Sequence, residues 1–192
     1  MEARTAEIVA RLREHPVGAA IKEHDQLERA LASSSAMLFI LRGDGLDLAP
    51  LLRRVHAAGK LAAVHMDLVE GVGRDHVGVR WLVRAGADAV ISSHGHLVRT
   101  IRASGVVAIQ RLLLSDASSV TAGLAAVERA GPDLVEVLPG VILPHVRDLL
   151  VERLRVPLLA GGFIRSAADV EAALAAGAFA VSTSSPELWG RR

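Results

Sequence analysis

Four polar side chains lie within or directly after short apolar segments of this sequence: His65, Asp67, Arg111 and Glu136. Because alternate residues of a strand point the same way, His65 and Asp67 are predicted to share one face. With Glu136 they would form an acid–base set, or a divalent metal site built on Asp67 and Glu136. The alternative is that they hydrogen-bond one another and a polar ligand without chemistry. Arg111 would either neutralise Glu136 or clamp an anion with two hydrogen bonds.

Two later segments carry a pattern typical of phosphate binding. Gly161 and Gly162 follow an apolar run and precede Ser166, a candidate helix cap, and Ser184 and Ser185 precede a short helical segment near residues 186–189. Glycine lets backbone amides approach a phosphate, and a helix N-terminus offers free N–H groups with positive potential. The alternative is that the two glycines only make a tight turn. We expect phosphate binding at these two segments.

Lys22 is the remaining candidate for ligand binding. The sequence has two lysines, Lys22 and Lys60, and Lys22 follows the first apolar run. Lys60 precedes an apolar run, so it is predicted at the opposite end of the fold. An aldolase that works through a Schiff base would have to use Lys22, at a strand where such a lysine is uncommon.

Short apolar segments rich in Val, Ile and Leu recur along the chain and must position these side chains. Between them lie segments with helical periodicity, such as residues 47–58, 118–130 and 166–176. Apolar runs without polar alternation are typical of parallel strands covered by helices. The eight predicted strands are Val17–Ile21, Ala36–Leu41, Leu61–His65, Ala89–Ile91, Val106–Ile109, Leu134–Leu138, Pro157–Ala160 and Phe179–Thr183.

Eight alternating strand–helix units predict an α/β fold, a single-domain (β/α)8 TIM barrel of near-minimal length. A doubly wound open sheet is the alternative, because a repeat period does not prove closure. The predicted domain covers residues 1–192, with residues 1–16 as an N-terminal helical extension. In such a barrel the site lies at the carboxyl ends of the strands, where the candidate residues fall.

Composition excludes several other classes of protein. The chain has no cysteine, which removes disulfides and thiolate-bound metals, and its formal net charge is +1, so no strongly basic nucleic-acid surface is visible. Aromatic residues make up 3% and are scattered, so no stacking platform for single-stranded RNA is evident. Neither a signal peptide nor an apolar run of roughly 18 residues is present. We expect a cytoplasmic protein without a membrane segment.

Five motifs in order resemble the glycerol-3-phosphate responsive antiterminator family. The resemblance runs from about Val17 to Trp189. The motifs are HMDL at His65–Leu68, IQRLLLSD at Ile109–Asp116, EVLPGV at Glu136–Val141, AGGFI at Ala160–Ile164 and STSSPELW at Ser182–Trp189.

The resemblance implies a barrel-fold regulator that binds glycerol 3-phosphate as effector and needs no cofactor. It would act on the leader mRNA of glycerol-utilisation genes and allow transcription past a terminator. By motif, Gly161, Gly162, Ser184 and Ser185 would hold the phosphate. The cup around the glycerol hydroxyls would be lined by His65, Asp67, Arg111 and Glu136. A homodimer is compatible with this interpretation. The RNA partner follows from the resemblance alone.

The alternative from another class is a TIM-barrel enzyme that acts on a small phosphate ester, of the isomerase, lyase or phosphodiesterase type. Glu136 or His65 would then be the acid–base residue. The same site residues serve both hypotheses, so turnover and RNA binding are what separate them. We favour the regulator.

Overall fold

The computed structural model describes residues 2–190. The first residue and the last two, which the predicted domain of residues 1–192 includes, lie outside this range. The chain alternates strands with helices, starting from a helix. The strands are β1 (Val17–Ile21), β2 (Met37–Ile40), β3 (Gly43–Asp44), β4 (Leu61–His65), β5 (Val69–Glu70), β6 (Ala89–Ser92), β7 (Val107–Leu113), β8 (Leu134–Leu138), β9 (Leu158–Gly161) and β10 (Ala180–Thr183).

The eight longer strands are parallel and close into a barrel in the order β1-β2-β4-β6-β7-β8-β9-β10. Closure is completed by β10, whose Val181 lies opposite Val17 of β1. The predicted (β/α)8 barrel is therefore confirmed, and the open sheet is excluded.

Helices separate the strands and form the outer layer. They are α1 (Glu2–Glu14), α2 (Leu27–Ala32), α3 (Gly45–Ala57), α4 (His76–Ala85), α5 (Gly95–Ala103), α6 (Ala117–Ala130), α7 (Leu143–Leu150) and α8 (Ala167–Ala175). After β10 the described part of the chain forms a 3-10 helix, Pro186–Leu188. No helix in the described range is both long and apolar enough to cross a membrane.

Local sequence signals fix where the helices begin and end. Asp75 caps α4 by accepting from the amides of Val77 and Gly78, and Ser166 caps α8 through a reciprocal arrangement with Asp169. Gly131 ends α6 in the left-handed conformation, with φ of 60°. These caps mark ends of α4, α6 and α8, where the chain turns between helix and strand.

Alternation along the strands divides the core into two layers. One set of side chains packs against the helices, and the other fills the barrel interior. Helix α1 closes the N-terminal opening of the barrel, because its Ile8 and Leu12 belong to the interior cluster with Phe39. The opening at the carboxyl ends of the strands is the one left for a ligand.

A small second sheet lies near that opening and was not predicted. Strands β3 and β5 pair in parallel, two residues each, with Gly43 opposite Val69 and Asp44 opposite Glu70. Asp44 also accepts from the amide of Leu46 and so caps α3. This pairing joins the loops that follow β2 and β4.

Candidate functional site

A cavity of about 580 Å³ opens at the carboxyl ends of the barrel strands. Six of the predicted site residues line it: Lys22, Arg111, Glu136, Gly162, Ser184 and Ser185. The others, His65, Asp67 and Gly161, do not contribute to its wall, although His65 and Gly161 lie beneath it in the barrel. The structure thus brings most of the predicted residues together at one opening.

A buried ion pair forms part of the cavity floor. Arg111 Nε donates to Glu136 Oε2 at 2.8 Å, and Ser182 Oγ donates to Glu136 Oε1 at 2.8 Å. Glu136 is 1% exposed and Arg111 is 9% exposed, so both charges are held away from bulk water. A charge-assisted pair of this kind fixes both side chains in one geometry. The prediction that Arg111 neutralises Glu136 is the one the structure bears out.

Gly161 makes room for that carboxylate. A Cβ atom built at Gly161 would lie 2.6 Å from Ser182 Oγ and 2.7 Å from Glu136 Oε1. Both distances are below any normal contact, so a larger residue would displace Ser182, Glu136 or the strand itself. Gly161 therefore acts on the floor of the cavity, one residue deeper than the loop that we expect to hold a phosphate.

The loops after β9 and β10 are tied to each other at the rim. Thr183 Oγ1 donates to the carbonyl of Ile164 at 2.6 Å, and the amide of Ser185 donates to Thr183 Oγ1 at 3.1 Å. Gly162 and Phe163 both have left-handed backbone, with φ of 82° and 59°. For Phe163 this conformation costs on the order of 1–3 kcal/mol, a strain typical of functional loops.

Several cavity residues were not singled out from the sequence. Arg42, Phe163, Arg165 and Ser182 all line the wall, and Arg165 lies over the Phe163 ring at 5.4 Å from its centroid. Arg42 directly follows a predicted strand, so a sequence signal was available for it, whereas Arg165 lies further along the loop after β9. The wall holds Lys22, Arg42, Arg111 and Arg165 against one carboxylate, so its electrostatics favour an anion.

Asp67 does not share a strand face with His65, and that prediction is wrong. Strand β4 ends at His65, and Asp67 lies in the turn that follows. Its carboxylate accepts from Ser92 Oγ at 2.9 Å and from the amide of Ser93 at 2.8 Å. Asp67 therefore connects the end of β4 to the end of β6 through these hydrogen bonds. The prediction failed because alternation no longer sets the direction of a side chain once the strand has ended.

The donor set does not fit the divalent metal site that was one alternative for Asp67 and Glu136. Across residues 2–190, no group of three or more histidine, cysteine, aspartate or glutamate side chains could hold an ion. Asp67 is engaged by Ser92 and Ser93, and Glu136 by Arg111 and Ser182. The two carboxylates are thus each satisfied by protein donors in separate parts of the site.

His65 is a buried histidine at the inner end of the site. It is 2% exposed, and its Nδ1 atom has no hydrogen-bond partner in the described part of the chain. Burial lowers the pKa of His65 to about 4, with a further contribution from the positive charge of Arg111, against the opposing effect of Asp67 and Glu136. At neutral pH the ring is therefore uncharged and able to donate or accept a hydrogen bond.

This pKa predicts an acid-sensitive fold. The unfolded chain binds a proton at His65 below pH of about 6.5, whereas the folded protein does so only below about 4. The contribution of neutral His65 to the free energy of unfolding is therefore fully present above pH 6.5. As the pH falls toward 4, the free energy of unfolding decreases by roughly 3 kcal/mol. Urea denaturation at pH 7 and pH 4.5 would measure this loss, and His65→Gln should remove much of the slope between these values. An unchanged slope in His65→Gln would assign the acid sensitivity to other groups.

Taken together, the fold and the site define a (β/α)8 barrel with one cationic cavity at the carboxyl ends of its strands. Residues 17–189 match the family described as glycerol-3-phosphate responsive antiterminator, and the chain belongs to that family. The match spans the whole barrel, from the first strand to the last 3-10 helix.

Individual relatives agree with this assignment. A protein of Escherichia coli K12 described as uncharacterized, YgcP, is 33% identical over 179 residues, which is 93% of each chain. The glycerol uptake operon antiterminator regulatory protein of Listeria monocytogenes has a solved structure that superposes with a TM-score of 0.86. It is 30% identical and covers 92% of this chain and 95% of its own.

A second solved structure, an antiterminator-related protein of the glycerol uptake operon from Thermotoga maritima, has a TM-score of 0.81. It is 28% identical and covers 90% of this chain and 96% of its own. The N-acetylmannosamine-6-phosphate 2-epimerase of Clostridium perfringens has a TM-score of 0.61 at 15% identity, covering 87% and 84%. At that identity the similarity shows the fold alone.

Proposed function

We propose that this protein senses glycerol 3-phosphate and, with that ligand bound, acts on the leader mRNA of glycerol-utilisation genes as an antiterminator. The observation that carries the proposal is the cationic cavity at the strand ends, in a chain that belongs to the glycerol-3-phosphate responsive family. A small dianion needs cations and polar donors in a concave site, and this cavity supplies both.

The phosphate would bind at the rim, between the loops after β9 and β10. Gly162, Ser184 and Ser185 line that part of the cavity, and Arg165 adds a guanidinium beside them. Guanidinium groups recognise phosphate oxygens through paired hydrogen bonds, and glycine allows the backbone to come close. Lys22, directly after the strand β1 that neighbours β10 in the barrel, would add a second cation.

The glycerol hydroxyls would then point toward the floor. Arg111 and Glu136 line the floor and offer a donor and an acceptor, and Ser182 adds a hydroxyl. Each carboxylate oxygen of Glu136 can accept a further hydrogen bond, so the ligand hydroxyls would add contacts that inorganic phosphate makes less well. Discrimination of glycerol 3-phosphate from inorganic phosphate would arise here.

Ligand binding would bias the loops rather than the barrel. The rim loops carry strained backbone at Phe163 and share hydrogen bonds through Thr183, so they are the elements most able to adopt two arrangements. A ligand shifts such an equilibrium only by its differential affinity for the two states. The state that the ligand favours would be the one that binds RNA.

Calorimetric titration with glycerol 3-phosphate, glycerol and inorganic phosphate, each with and without Mg²⁺, tests the sensor. We expect glycerol 3-phosphate to bind at least ~100-fold more tightly than either control, because each control loses several charged or hydroxyl contacts worth about 1.5–3 kcal/mol. Equal or absent binding of all three at millimolar concentration would contradict the assigned ligand.

Turnover and RNA binding separate the regulator from the enzyme hypothesis. The same samples, followed by phosphorus NMR, should show glycerol 3-phosphate unchanged. Transcribed leaders of the glycerol-utilisation genes should bind more tightly when the ligand is present, with an affinity that falls as salt rises. Consumption of the ligand, slowed by Glu136→Gln, would instead favour an enzyme that acts on a small phosphate ester.

A further inference from the structure

A second polar pocket lies at the opposite end of the barrel. It has a volume of about 260 Å³ and is formed by the end of α1 with the segments that lead into β2 and β4. Its polar lining is Arg11, Glu14, His15, Ser34, Ser35 and Lys60. The proposed sensor does not use any of these residues.

Two cations meet in this pocket without a carboxylate between them. Lys60 is 9% exposed, and its Nζ donates to the carbonyls of Ser33 and Ser35, both at 2.7 Å. Arg11 donates to the carbonyl of Gly59. Within the described residues, neither Lys60 nor Arg11 forms an ion pair, and burial together with the charge of Arg11 lowers the pKa of Lys60. The pocket lining therefore carries two cations against the one carboxylate of Glu14.

Donors remain available in the pocket. An ammonium group has three N–H bonds, and Lys60 uses two of them on carbonyls. A guanidinium has five, of which the structure assigns one of Arg11 to Gly59. His15 adds a buried Nδ1 atom with no hydrogen-bond partner in the described chain. All three residues line the pocket of about 260 Å³, which is large enough for a tetrahedral anion.

The surface around the pocket is rich in arginine. Each helix from α1 to α7 carries arginine in its last turn, which lies at this end of the barrel. Arg13, Arg29 and Arg53 are exposed on helices that lead into the pocket, and none has an ion pair in residues 2–190.

We propose that this pocket binds a phosphate group of an RNA backbone, with the surrounding arginines contacting neighbouring phosphates. The inference rests on the RNA half of the proposed function and gives it a surface. Phosphate oxygens accept hydrogen bonds and carry charge, which matches the donors of Lys60, Arg11 and His15. An RNA backbone carries further phosphates on either side of the one in the pocket. These neighbouring phosphates can reach the exposed arginines around it. Glu14, an exposed carboxylate at the pocket, opposes this binding.

The location separates the two ligands. The cavity for glycerol 3-phosphate opens at the carboxyl ends of the strands, and α1 closes the other end of the barrel. RNA held against α1 would leave the ligand opening free. Glycerol 3-phosphate should therefore enter and leave while RNA is bound, and the two should not compete.

RNA binding by charge-changing variants tests the proposal. In the presence of glycerol 3-phosphate, binding of a transcribed leader from a glycerol-utilisation gene is measured for Arg11→Gln, for His15→Ala, and for Arg13→Glu combined with Arg53→Glu. The matched control is Arg80→Glu combined with Arg99→Glu, two exposed arginines on α4 and α5. Calorimetry with glycerol 3-phosphate shows that each variant is folded.

We expect Arg11→Gln and the Arg13/Arg53 double variant to weaken RNA binding roughly tenfold or more and to reduce the slope of log affinity against log salt by about one per lost contact. Glu14→Gln should tighten binding, and the Arg80/Arg99 control should match the native protein. If all pocket variants bind RNA as tightly as the native protein, the inference is overturned and the proposed function stands. Absence of RNA binding by the wild type would overturn both the inference and the RNA half of the function, while calorimetry would still report the sensor. Equal competition by polyglutamate would overturn it in favour of an acidic protein partner.

Discussion

Replacing Arg111 with methionine is expected to destabilise the protein by about 3 kcal/mol or more. The substitution leaves Glu136 buried, with only Ser182 as hydrogen-bond donor, and an uncompensated buried carboxylate typically costs 3–5 kcal/mol. Guanidinium chloride denaturation at pH 7 measures the change. The side-chain stem of methionine preserves most of the apolar volume of arginine, so the loss reports the charge.

The double variant provides the control. Arg111→Met with Glu136→Gln removes both charges and keeps a hydrogen-bonding group near Ser182, so it should recover at least half of the lost stability. Arg165→Met removes an exposed cation of the same cavity and should cost less than about 0.5 kcal/mol. A loss below about 1 kcal/mol in Arg111→Met would show that water in the cavity replaces the guanidinium.

Replacing Gly161 with valine is expected to abolish binding of glycerol 3-phosphate, with a loss of at least ~100-fold. The first added carbon already falls 2.6 Å from Ser182 Oγ and 2.7 Å from Glu136 Oε1. Either the two side chains move and the hydroxyl-binding floor is lost, or the strand shifts and the rim loop after β9 moves with it. A misplacement of about 1 Å is enough for a loss of this size. Calorimetry measures the affinity, and thermal unfolding shows whether the variant is folded.

Gly95→Ala is the matched control for this substitution. A Cβ at Gly95 would meet only the Cβ of Ala130 at 3.5 Å, an ordinary contact remote from the cavity. This variant should bind glycerol 3-phosphate as the native protein does. Full affinity in a folded Gly161→Val variant would contradict the placement of the ligand above Glu136.

The barrel could be predicted from the sequence because each strand is a separate apolar run that ends at a polar residue. Three strands, Val17–Ile21, Leu61–His65 and Leu134–Leu138, have the bounds that were predicted, and the others differ at their ends. The β3–β5 pair could not be predicted in this way. Its strands have two residues each, three of the four residues are exposed, and no apolar pattern marks them. Pairing there depends on how two distant loops meet above the barrel.

The site could be predicted where strands carry it, and much less where loops do. Arg111 and Glu136 lie inside strands, where alternation sets the direction of each side chain, and the structure pairs them. Asp67 lies two residues beyond β4, where that rule no longer applies. Arg165 and Phe163 belong to the loop after β9, and their positions at the cavity follow from backbone turns that no periodicity reports.

The pairing of β1 with β10 has a consequence for how the protein is made. Translation delivers β1 first, but one of its edges has no partner until Ala180–Thr183 is synthesised, more than 160 residues later. Until then the ribosome-bound chain exposes a strand edge that is ready to pair with other chains. The barrel is therefore completed only after β10 has been synthesised, and transcripts that end before it would yield products prone to aggregation rather than shorter, working barrels.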